Sequence, residues 1–321
     1  MGVDGSHITG CEGRQKFLYL LFFYRLHRMP PAAPHPSTAL RGIAFMLAGT
    51  FFMSLNNAVL KYMSEGYPAG QVLFMRGSFI FIPIAIFIWR AGGFHSARID
   101  SFGGHAIRAL CTVISAFLFV NGVRYLPLAD ATAISFAGPL FITMLATPVL
   151  GEYVGWRRWS AVIVGFIGVL IITRPTGDVV RLAVLLPLGS AFAAAMRDLI
   201  TRRIAARETS NSILVTTTTA VMLAGLATLP MGWIVPTPGD LGLIAMGGLV
   251  SGCGHYCMIE TFRHAEAGLV APFKYSSILY AVAMGYLFWG DLPDAWVITG
   301  TMILVASGLY ILRRELARSG R

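Results

Sequence analysis

Five charged residues interrupt long apolar stretches of the sequence: Arg76, Arg197, Asp198, Glu260 and Lys274. A charge at the centre of a membrane-spanning helix costs about 2.5–3.5 kcal/mol on insertion scales, so such residues are usually paired or functional. Cations outnumber carboxylates in this set. This set of charged residues predicts a binding site for a small zwitterion or anion. A carboxylate of that ligand would meet Arg76 or Lys274, while Asp198 would meet an amine or a sulfonium.

Arg197 and Asp198 are neighbours, and successive residues of an α-helix point about 100° apart. We therefore predict that Asp198 points into the helix bundle and pairs with Lys274, whereas Arg197 extends along the helix to the lipid headgroups. The pair has two interpretations. It is either a structural ion pair that locks two helices, or a gate that separates when a substrate offers replacement bonds, since a buried ion left alone costs about 3–5 kcal/mol.

Arg76 lies among apolar residues, with Asn57 and backbone carbonyl groups as its nearest candidate partners. A guanidinium binds a carboxylate through two parallel hydrogen bonds. Arg76 is therefore a candidate substrate ligand or outer gate, or alternatively a hydrogen-bonded structural arginine. The predicted substrate-binding or gating residues are Asn57, Arg76, Ser135, Asp198, Lys274 and Tyr275.

Three groups are candidates for proton coupling: Asp198, His255 and Glu260. Histidine is the side chain whose ordinary titration falls near neutral pH. Two alternatives stay open at this point. His255 would instead form a hydrogen bond to a neighbouring helix, and Glu260 would form an interfacial ion pair with Arg263.

Cys253, His255 and Cys257 resemble a metal-binding cluster by their spacing. On a helix, however, residues i and i+4 share a face while i+2 points away. We therefore predict no metal site, no cofactor and no catalytic residue.

The elements that must position these side chains are membrane helices. Hydrophobic residues make up 56% of the 321 residues and charged residues 12%, and the mean hydropathy is +0.68. A soluble domain carries about 25% charged residues. Apolar stretches of about 20 residues span a bilayer, so the sequence predicts an all-α integral membrane protein with ten transmembrane helices. We place them at Gly42–Tyr62, Ala69–Trp89, His105–Arg124, Ala129–Leu150, Arg158–Thr173, Leu182–Arg203, Ile213–Trp233, Leu241–Phe262, Gly268–Trp289 and Ala295–Leu312.

The ten predicted helices form two copies of a five-helix unit. An offset of 140 aligns Gly49 with Gly189, and an offset of 139 aligns Ser135 with Lys274. Because a unit with an odd number of spans begins and ends on opposite sides, the second copy runs inverted, as in many carriers that build one midplane site. We predict a disordered N-terminal extension at 1–40, five-helix repeats at 41–175 and 180–313, and a basic cytoplasmic tail at 314–321.

The net charge of +10 predicts topology rather than nucleic-acid binding. Most of the 25 lysines and arginines lie on one side of the predicted spans, and only Lys61, Arg124, Arg174 and Arg181 lie in segments on the other side. Basic residues accumulate in cytoplasmic loops. We therefore predict a multi-pass protein of the cytoplasmic (inner) membrane with both termini in the cytoplasm. Its expected partners are a small-molecule substrate and membrane lipid, with no nucleic acid.

The ends of the two repeats carry a family resemblance. The first contains Arg124-Tyr-Leu-Pro-Leu-Ala-Asp, then Pro139 and Gly151-Glu152, and the second contains Arg263-His-Ala-Glu-Ala-Gly, then Pro272 and Gly290-Asp291. Over residues 41–313 the chain thereby resembles the ten-helix carriers of the drug/metabolite transporter (DMT) superfamily with two EamA domains. Residues 196–203 and 271–280 are also similar to the S-adenosylmethionine uptake branch, which has an aspartate in the sixth helix and a basic–aromatic pair in the ninth.

This resemblance implies a secondary transporter that moves a small polar metabolite by alternating access, such as an amino acid, S-adenosylmethionine or a similar zwitterion. A lipid or lipid-linked flippase of the same fold is the alternative. An intramembrane enzyme is disfavoured because the sequence contains no Walker loop, paired-carboxylate metal cluster or Gly-x-Ser-x-Gly motif. We expect a monomer or a homodimer. The sequence leaves the substrate, the direction of transport and the coupling ion open.

Overall fold

The computed structural model of the chain describes residues 36–90, 93, 99, 102–150, 155–173, 183–204, 208–264 and 270–319. All regular secondary structure in these residues is helical. The α-helices are α1 Pro36–Gly66, α2 Ala69–Arg90, α3 Phe102–Tyr125, α4 Leu128–Ser135, α5 Gly138–Leu150, α6 Trp156–Thr173, α7 Leu185–Ile204, α8 Ser210–Leu226, α9 Pro238–His264, α10 Ser276–Trp289 and α11 Ala295–Ser319. Two 3₁₀ segments are Leu229–Met231 and Ala271–Tyr275.

The helices match the predicted membrane spans. Within the described ranges, 7 stretches are long and apolar enough to cross a membrane, and α6 contains a shorter apolar helix. One of the seven, Leu128–Val149, joins α4 and α5 into a single span. With α4 and α5 counted together, α1–α11 provide the ten spans expected from the sequence, and the predicted all-α membrane fold is confirmed.

Equivalent helices of the two repeats pack in antiparallel pairs. Between α6 and α11, Ser307 Oγ donates to the carbonyl oxygen of Ala161 at 2.5 Å. A methyl group added at Gly168 would lie 2.8 Å from the carbonyl oxygen of Gly300, so residue numbers fall along α11 as they rise along α6. An offset of 139 maps Ala161 onto Gly300 and Gly168 onto Ser307. A twofold axis therefore exchanges these two contacts, and the repeats are inverted.

The long helices cross between repeats in a second pair of equivalent contacts. Helix α1 of the first repeat packs against α9 of the second, and its counterpart α7 packs against α3. Small residues occupy both crossings: Gly247 lies against Val59, and the hydroxyl groups of Ser115 and Ser190 are 3.0 Å apart. Small side chains let helix backbones approach closely in a membrane protein, where packing rather than hydrophobic burial holds helices together.

The fourth span is broken, whereas the sequence analysis predicted one helix over Ala129–Leu150. Helix α4 ends at Ser135, four residues before Pro139. A proline has no N–H to donate, and its ring clashes with the carbonyl group four residues earlier. The backbone N–H of Phe136 bonds to the carbonyl oxygen of Ala133 at 3.1 Å, which is the tighter 3₁₀ spacing. The carbonyl group of Ser135 thus loses its usual helical donor.

The second repeat departs from α-helix in the 3₁₀ segment Ala271–Tyr275, where the sequence analysis predicted α-helix. Pro272 lies in its first turn. An offset of 139 matches Phe136 with Tyr275, and their ring centroids are 4.9 Å apart. The break after Ser135 and the 3₁₀ segment therefore coincide at this pair of residues, beside the twofold axis. Such breaks occur at membrane depth where backbone groups line a cavity.

The first and last helices of the chain, α1 and α11, both extend beyond their predicted ends. Helix α1 begins at Pro36 instead of Gly42, since proline suits the first turn of a helix. Residues 36–40 of the predicted disordered extension are therefore helical, and the prediction for residues 1–35 lies outside the described part of the chain. Helix α11 continues to Ser319 because arginine, leucine and glutamate there favour helix without needing lipid contact.

Candidate functional site

Two adjoining cavities lie between the repeats. The arginine lobe has a volume of about 570 Å³, and its lining includes Arg76, Arg108 and Arg197. The lysine lobe has a volume of about 450 Å³, and its lining includes Lys274 and Tyr275. The lobes share the lining residues Met53, Asn57, Ser135, Ser190, Arg197 and Asp198. They therefore meet at a boundary to which both repeats contribute.

The structure places the predicted residues unequally around these lobes. All six predicted binding or gating residues line one or both lobes, and His255 lines the arginine lobe. Glu260 is absent from the described lining of both lobes. It is buried, and its Oε2 lies 3.6 Å from Nδ1 of His264. The alternative pairing of Glu260 with Arg263 involves a side chain outside the described residues.

Arg197 and Asp198 pair with each other at the boundary between the lobes. Arg197 Nε donates to Asp198 Oδ1 at 2.9 Å, and Nη2 lies 2.9 Å from the same oxygen. The predicted pairing of Asp198 with Lys274, and the predicted extension of Arg197 to the headgroups, are therefore wrong. The prediction assumed that neighbouring side chains on a helix stay apart because they leave the backbone in different directions. The long side chain of Arg197 instead bends back and reaches the carboxylate of Asp198.

Arg76 enters the arginine lobe from α2 and is held by an asparagine pair on α1. Its Nη1 donates to Oδ1 of Asn56 at 3.4 Å, and Nδ2 of Asn56 donates to Oδ1 of Asn57 at 3.3 Å. The Nε atom of Arg76 is buried with no hydrogen-bond partner in the structure described. An unsatisfied buried donor is costly, so this guanidinium is poised to accept a further ligand. The sequence analysis named Asn57 as the partner and missed Asn56.

Arg108 is a lobe residue that the sequence analysis missed. It donates through Nε to the hydroxyl group of Thr201 at 2.8 Å and through Nη1 to that of Thr217, which ties α3 to α7 and α8. The sequence analysis counted Arg108 with the basic residues outside the membrane. Its position one turn inside the predicted helix His105–Arg124 was the available signal.

His255 forms its hydrogen bond within its own helix, not with a neighbouring one. Its Nδ1 lies 2.7 Å from the carbonyl oxygen of Ser251. Since a carbonyl oxygen only accepts, Nδ1 carries the proton of the neutral ring, and Nε2 is the atom that gains or loses a proton. His255 is exposed and lies in the lining of the arginine lobe.

The lysine lobe is built around the 3₁₀ segment of the second repeat. Lys274 is exposed to this lobe. The Tyr275 ring packs on Phe136, and its hydroxyl group lies over Gly308, where a Cβ atom would collide with it. The hydroxyl groups of Thr50 and Ser276 are 2.8 Å apart and fix the segment to α1.

The end of the bundle away from the chain termini, here the distal end, is closed by an ion pair. Lys61 Nζ lies 3.1 Å from Asp291 Oδ2 and 4.6 Å from the centre of the Trp289 ring. The left-handed conformation of Gly290, with a φ of 72°, ends α10 and turns the chain toward Lys61. Glycine adopts this conformation without the strain that a Cβ atom causes.

A second set of contacts at the distal end joins α1 and α2 to the start of α9. The hydroxyl group of Tyr67 donates to Asp240 Oδ2 at 2.7 Å. This bond raises the pKa of Tyr67, because a phenolate would lie beside a carboxylate. The amide of Gln71 bonds to both backbone groups of Ile234. These contacts tie the two repeats together at this end.

The opposite end, where α1 begins and α11 ends, is called the terminal end. The lining of the arginine lobe extends to Phe87 and Leu214 there, and the lining of the lysine lobe extends to Leu312. The site therefore reaches toward the terminal end and is closed by polar contacts at the distal end. No group of three histidine, cysteine, aspartate or glutamate side chains in the described ranges is arranged to hold a metal ion.

Comparisons with known proteins agree with this geometry. Residues 40–174 and 181–313 match the EamA-like transporter family. The chain is 30% identical over 292 residues to a riboflavin transporter of Rhizobium johnstonii, covering 89% of this chain and 95% of that protein. It is 25% identical to an S-adenosylmethionine uptake transporter of Rickettsia prowazekii, covering 87% and 94%. It is 26% identical to the pseudopaline exporter CntI of Pseudomonas aeruginosa, covering 85% and 96%.

A solved crystal structure shares the fold, with a TM-score of 0.59 at 15% sequence identity, covering 86% of this chain and 98% of that one. The related proteins are transporters of small metabolites rather than enzymes. The two matched segments coincide with the two halves of the inverted bundle, and the chain is a membrane protein that belongs to the EamA-like transporter family, with two EamA repeats.

Proposed function

We propose that the arginine and lysine lobes together form the site through which this transporter carries a small polar metabolite. The observation that carries the proposal is the boundary between the lobes, where Asn57 and Ser135 of one repeat meet Asp198 of the other. A site built from inverted repeats is exposed to one side and then to the other as the repeats exchange conformations. This is transport by alternating access.

The protein lies in the cytoplasmic membrane with both termini inside. Basic residues cluster on the side of the termini, as cytoplasmic loops do. In this orientation the terminal end faces the cytoplasm, and the closed distal end faces outward. The structure then corresponds to an inward-facing or inward-occluded state, in which Lys61 and Asp291 hold the outer side shut.

Six residues contact the substrate or gate its path: Asn57, Arg76, Ser135, Asp198, Lys274 and Tyr275. They line the lobes and offer charged, amide and hydroxyl groups. Asp198 and His255 are the candidate proton carriers, since both border the arginine lobe. Glu260 is left out of this role because it is buried against His264 away from the described lining.

Transport by purified protein in liposomes tests the proposal. The related proteins are named for riboflavin, S-adenosylmethionine and pseudopaline, so the first panel contains riboflavin, S-adenosylmethionine, amino acids, nucleosides and short carboxylates. We expect at least one compound to enter liposomes containing the protein faster than empty ones. If none does, and none exchanges in counterflow, the proposal is wrong.

The Asp198→Asn variant tests whether uptake depends on a side chain that lines the lobes rather than on any carboxylate in the helix bundle. Removing one partner of a charge-assisted hydrogen bond costs about 1.5–3 kcal/mol, so we expect uptake of the accepted compound to fall about tenfold or more. Glu260→Gln is the matched control, because it neutralises a helix carboxylate away from both lobes and should change uptake about twofold at most. Equal uptake by wild type and Asp198→Asn would remove Asp198 from the site.

A further inference from the structure

The lobes hold an excess of positive charge. Four basic residues line them, namely Arg76, Arg108, Arg197 and Lys274. Asp198 is the one carboxylate in the described lining. Inside a membrane protein such charges are poorly screened, and a cleft lined by one sign of charge concentrates ligands of the opposite sign.

Asp198 offsets one of these four positive charges, and its described hydrogen bonds and ion pair go to Arg197. In the ranges that the structure describes, the remaining three basic groups have no carboxylate within ion-pair distance. Arg108 donates to hydroxyl groups, and Arg76 donates to the amide oxygen of Asn56. Neutral acceptors orient a guanidinium but leave its charge uncompensated.

The three guanidinium groups also converge on one region. Arg76, Arg108 and Arg197 come from α2, α3 and α7, and all three line the arginine lobe together with His255. The buried Nε of Arg76 has no partner in the structure described. This arrangement suits a carboxylate or a phosphate, whose oxygens accept paired hydrogen bonds from arginine.

We infer that the substrate carries a net negative charge at neutral pH and places a carboxylate or phosphate group in the arginine lobe. This inference rests on the proposed transport role of the lobes and narrows its substrate class. A compound with a net positive charge is disfavoured, because Arg197 already occupies the carboxylate of Asp198 that the sequence analysis assigned to an amine or a sulfonium.

The inference is tested by letting the protein bind compounds from a metabolite mixture, so that no ligand has to be chosen in advance. The full-length chain in lipid nanodiscs is incubated with a bacterial metabolite extract, and the retained compounds are identified by mass spectrometry. Wild type should enrich net anions over empty nanodiscs, and the compound masses distinguish carboxylates from phosphates. Enrichment of neutral or cationic compounds alone, or of no compound at all, overturns the inference.

Two variants locate the anionic group. Arg76→Gln and Arg108→Gln should each reduce retention of the enriched anion about tenfold or more, the effect of losing a charge-assisted hydrogen bond. Arg124→Gln is the control, since this exposed arginine on α3 is not in the described lining. Each variant is first checked for a monodisperse peak in gel filtration. If Arg76→Gln fails to fold, the folded Arg108→Gln decides, and retention equal to the control overturns the inference.

Uptake assays separate failure of this inference from failure of the proposed function. An anion that binds in an arginine-dependent way but is not carried across liposomes contradicts the transport role and leaves the anion site intact. A neutral or cationic compound that is carried in an Asp198-dependent way contradicts the anion inference and leaves the transport role intact.

Discussion

The ion pair between Lys61 and Asp291 is expected to hold the distal end closed, and Asp291→Asn should weaken that closure. At an effective dielectric near 20, unit charges 4 Å apart attract by about 4 kcal/mol, whereas fully exposed pairs contribute about 0.2–1 kcal/mol. The Lys61 side chain is 6% exposed and that of Asp291 is 34% exposed, so the pair lies between these limits. We expect it to contribute about 1–2 kcal/mol to the closed state, which is about a 5- to 30-fold change in population.

Accessibility from the distal end, which is the outer side in the proposed orientation, measures this population. Leu60 lines the arginine lobe and is 4% exposed. A cysteine introduced there, in a background with the native cysteines replaced by serine, should react slowly with a membrane-impermeant maleimide added outside. In the Asp291→Asn background the labelling rate should rise about 5- to 30-fold, because the reagent reaches the lobe only when the distal end opens.

A double substitution distinguishes a specific role of the ion pair in distal closure from a general destabilisation of the protein. Replacing both Lys61 and Asp291 with apolar residues of similar size removes the charges without leaving one of them buried alone, which is the costly case. Lys61→Met with Asp291→Leu should therefore label more slowly than Asp291→Asn. Equal labelling of wild type and Asp291→Asn would refute the reasoning, since the ion pair would then contribute nothing to closure.

Two further predictions concern close contacts between helices. Gly308→Ala should lower the thermal unfolding midpoint in detergent because the new methyl group meets the Tyr275 hydroxyl group, and Tyr275→Phe in the same chain should restore part of that midpoint; no rescue would contradict this steric account. Gly168→Ala should lower the thermal unfolding midpoint in detergent, with a cost of about 1–3 kcal/mol, because its methyl group would lie 2.8 Å from the carbonyl oxygen of Gly300. Gly242→Ala is the control, having nothing within 4 Å of the added group, and equal shifts for both variants would show that the α6–α11 crossing tolerates the methyl group.

The membrane fold was predictable because it depends on properties that act along the sequence alone. Apolar runs of spanning length and the two offsets fixed ten helices and their inversion. Pro139 indicated that the fourth helix can bend or break, but the sequence did not decide between the two, and the structure shows a break between α4 and α5. A proline inside an apolar run either bends a helix or ends it, and the choice depends on whether the released carbonyl group of Ser135 faces lipid or a cavity.

The residues that line the lobes were more predictable than the pairing between them. Arg76, Asp198 and Lys274 stood out because a charge in an apolar run requires an explanation. The partner of Asp198 was wrong because a side chain with several rotatable bonds reaches acceptors that helical geometry alone places out of range. Arg108 was missed because a basic residue near a helix end has an ordinary explanation in topology.

The contact between Phe136 and Tyr275 has a consequence for how this transporter moves. The two rings occupy equivalent positions and touch beside the twofold axis. If the outward-facing state arises when the two repeats exchange conformations, each contact is replaced by the contact between the two equivalent residues. The Lys61–Asp291 bond then breaks, but the contact between these two rings is its own counterpart and survives. On the proposed alternating-access mechanism, this aromatic pair therefore stays in contact in both states.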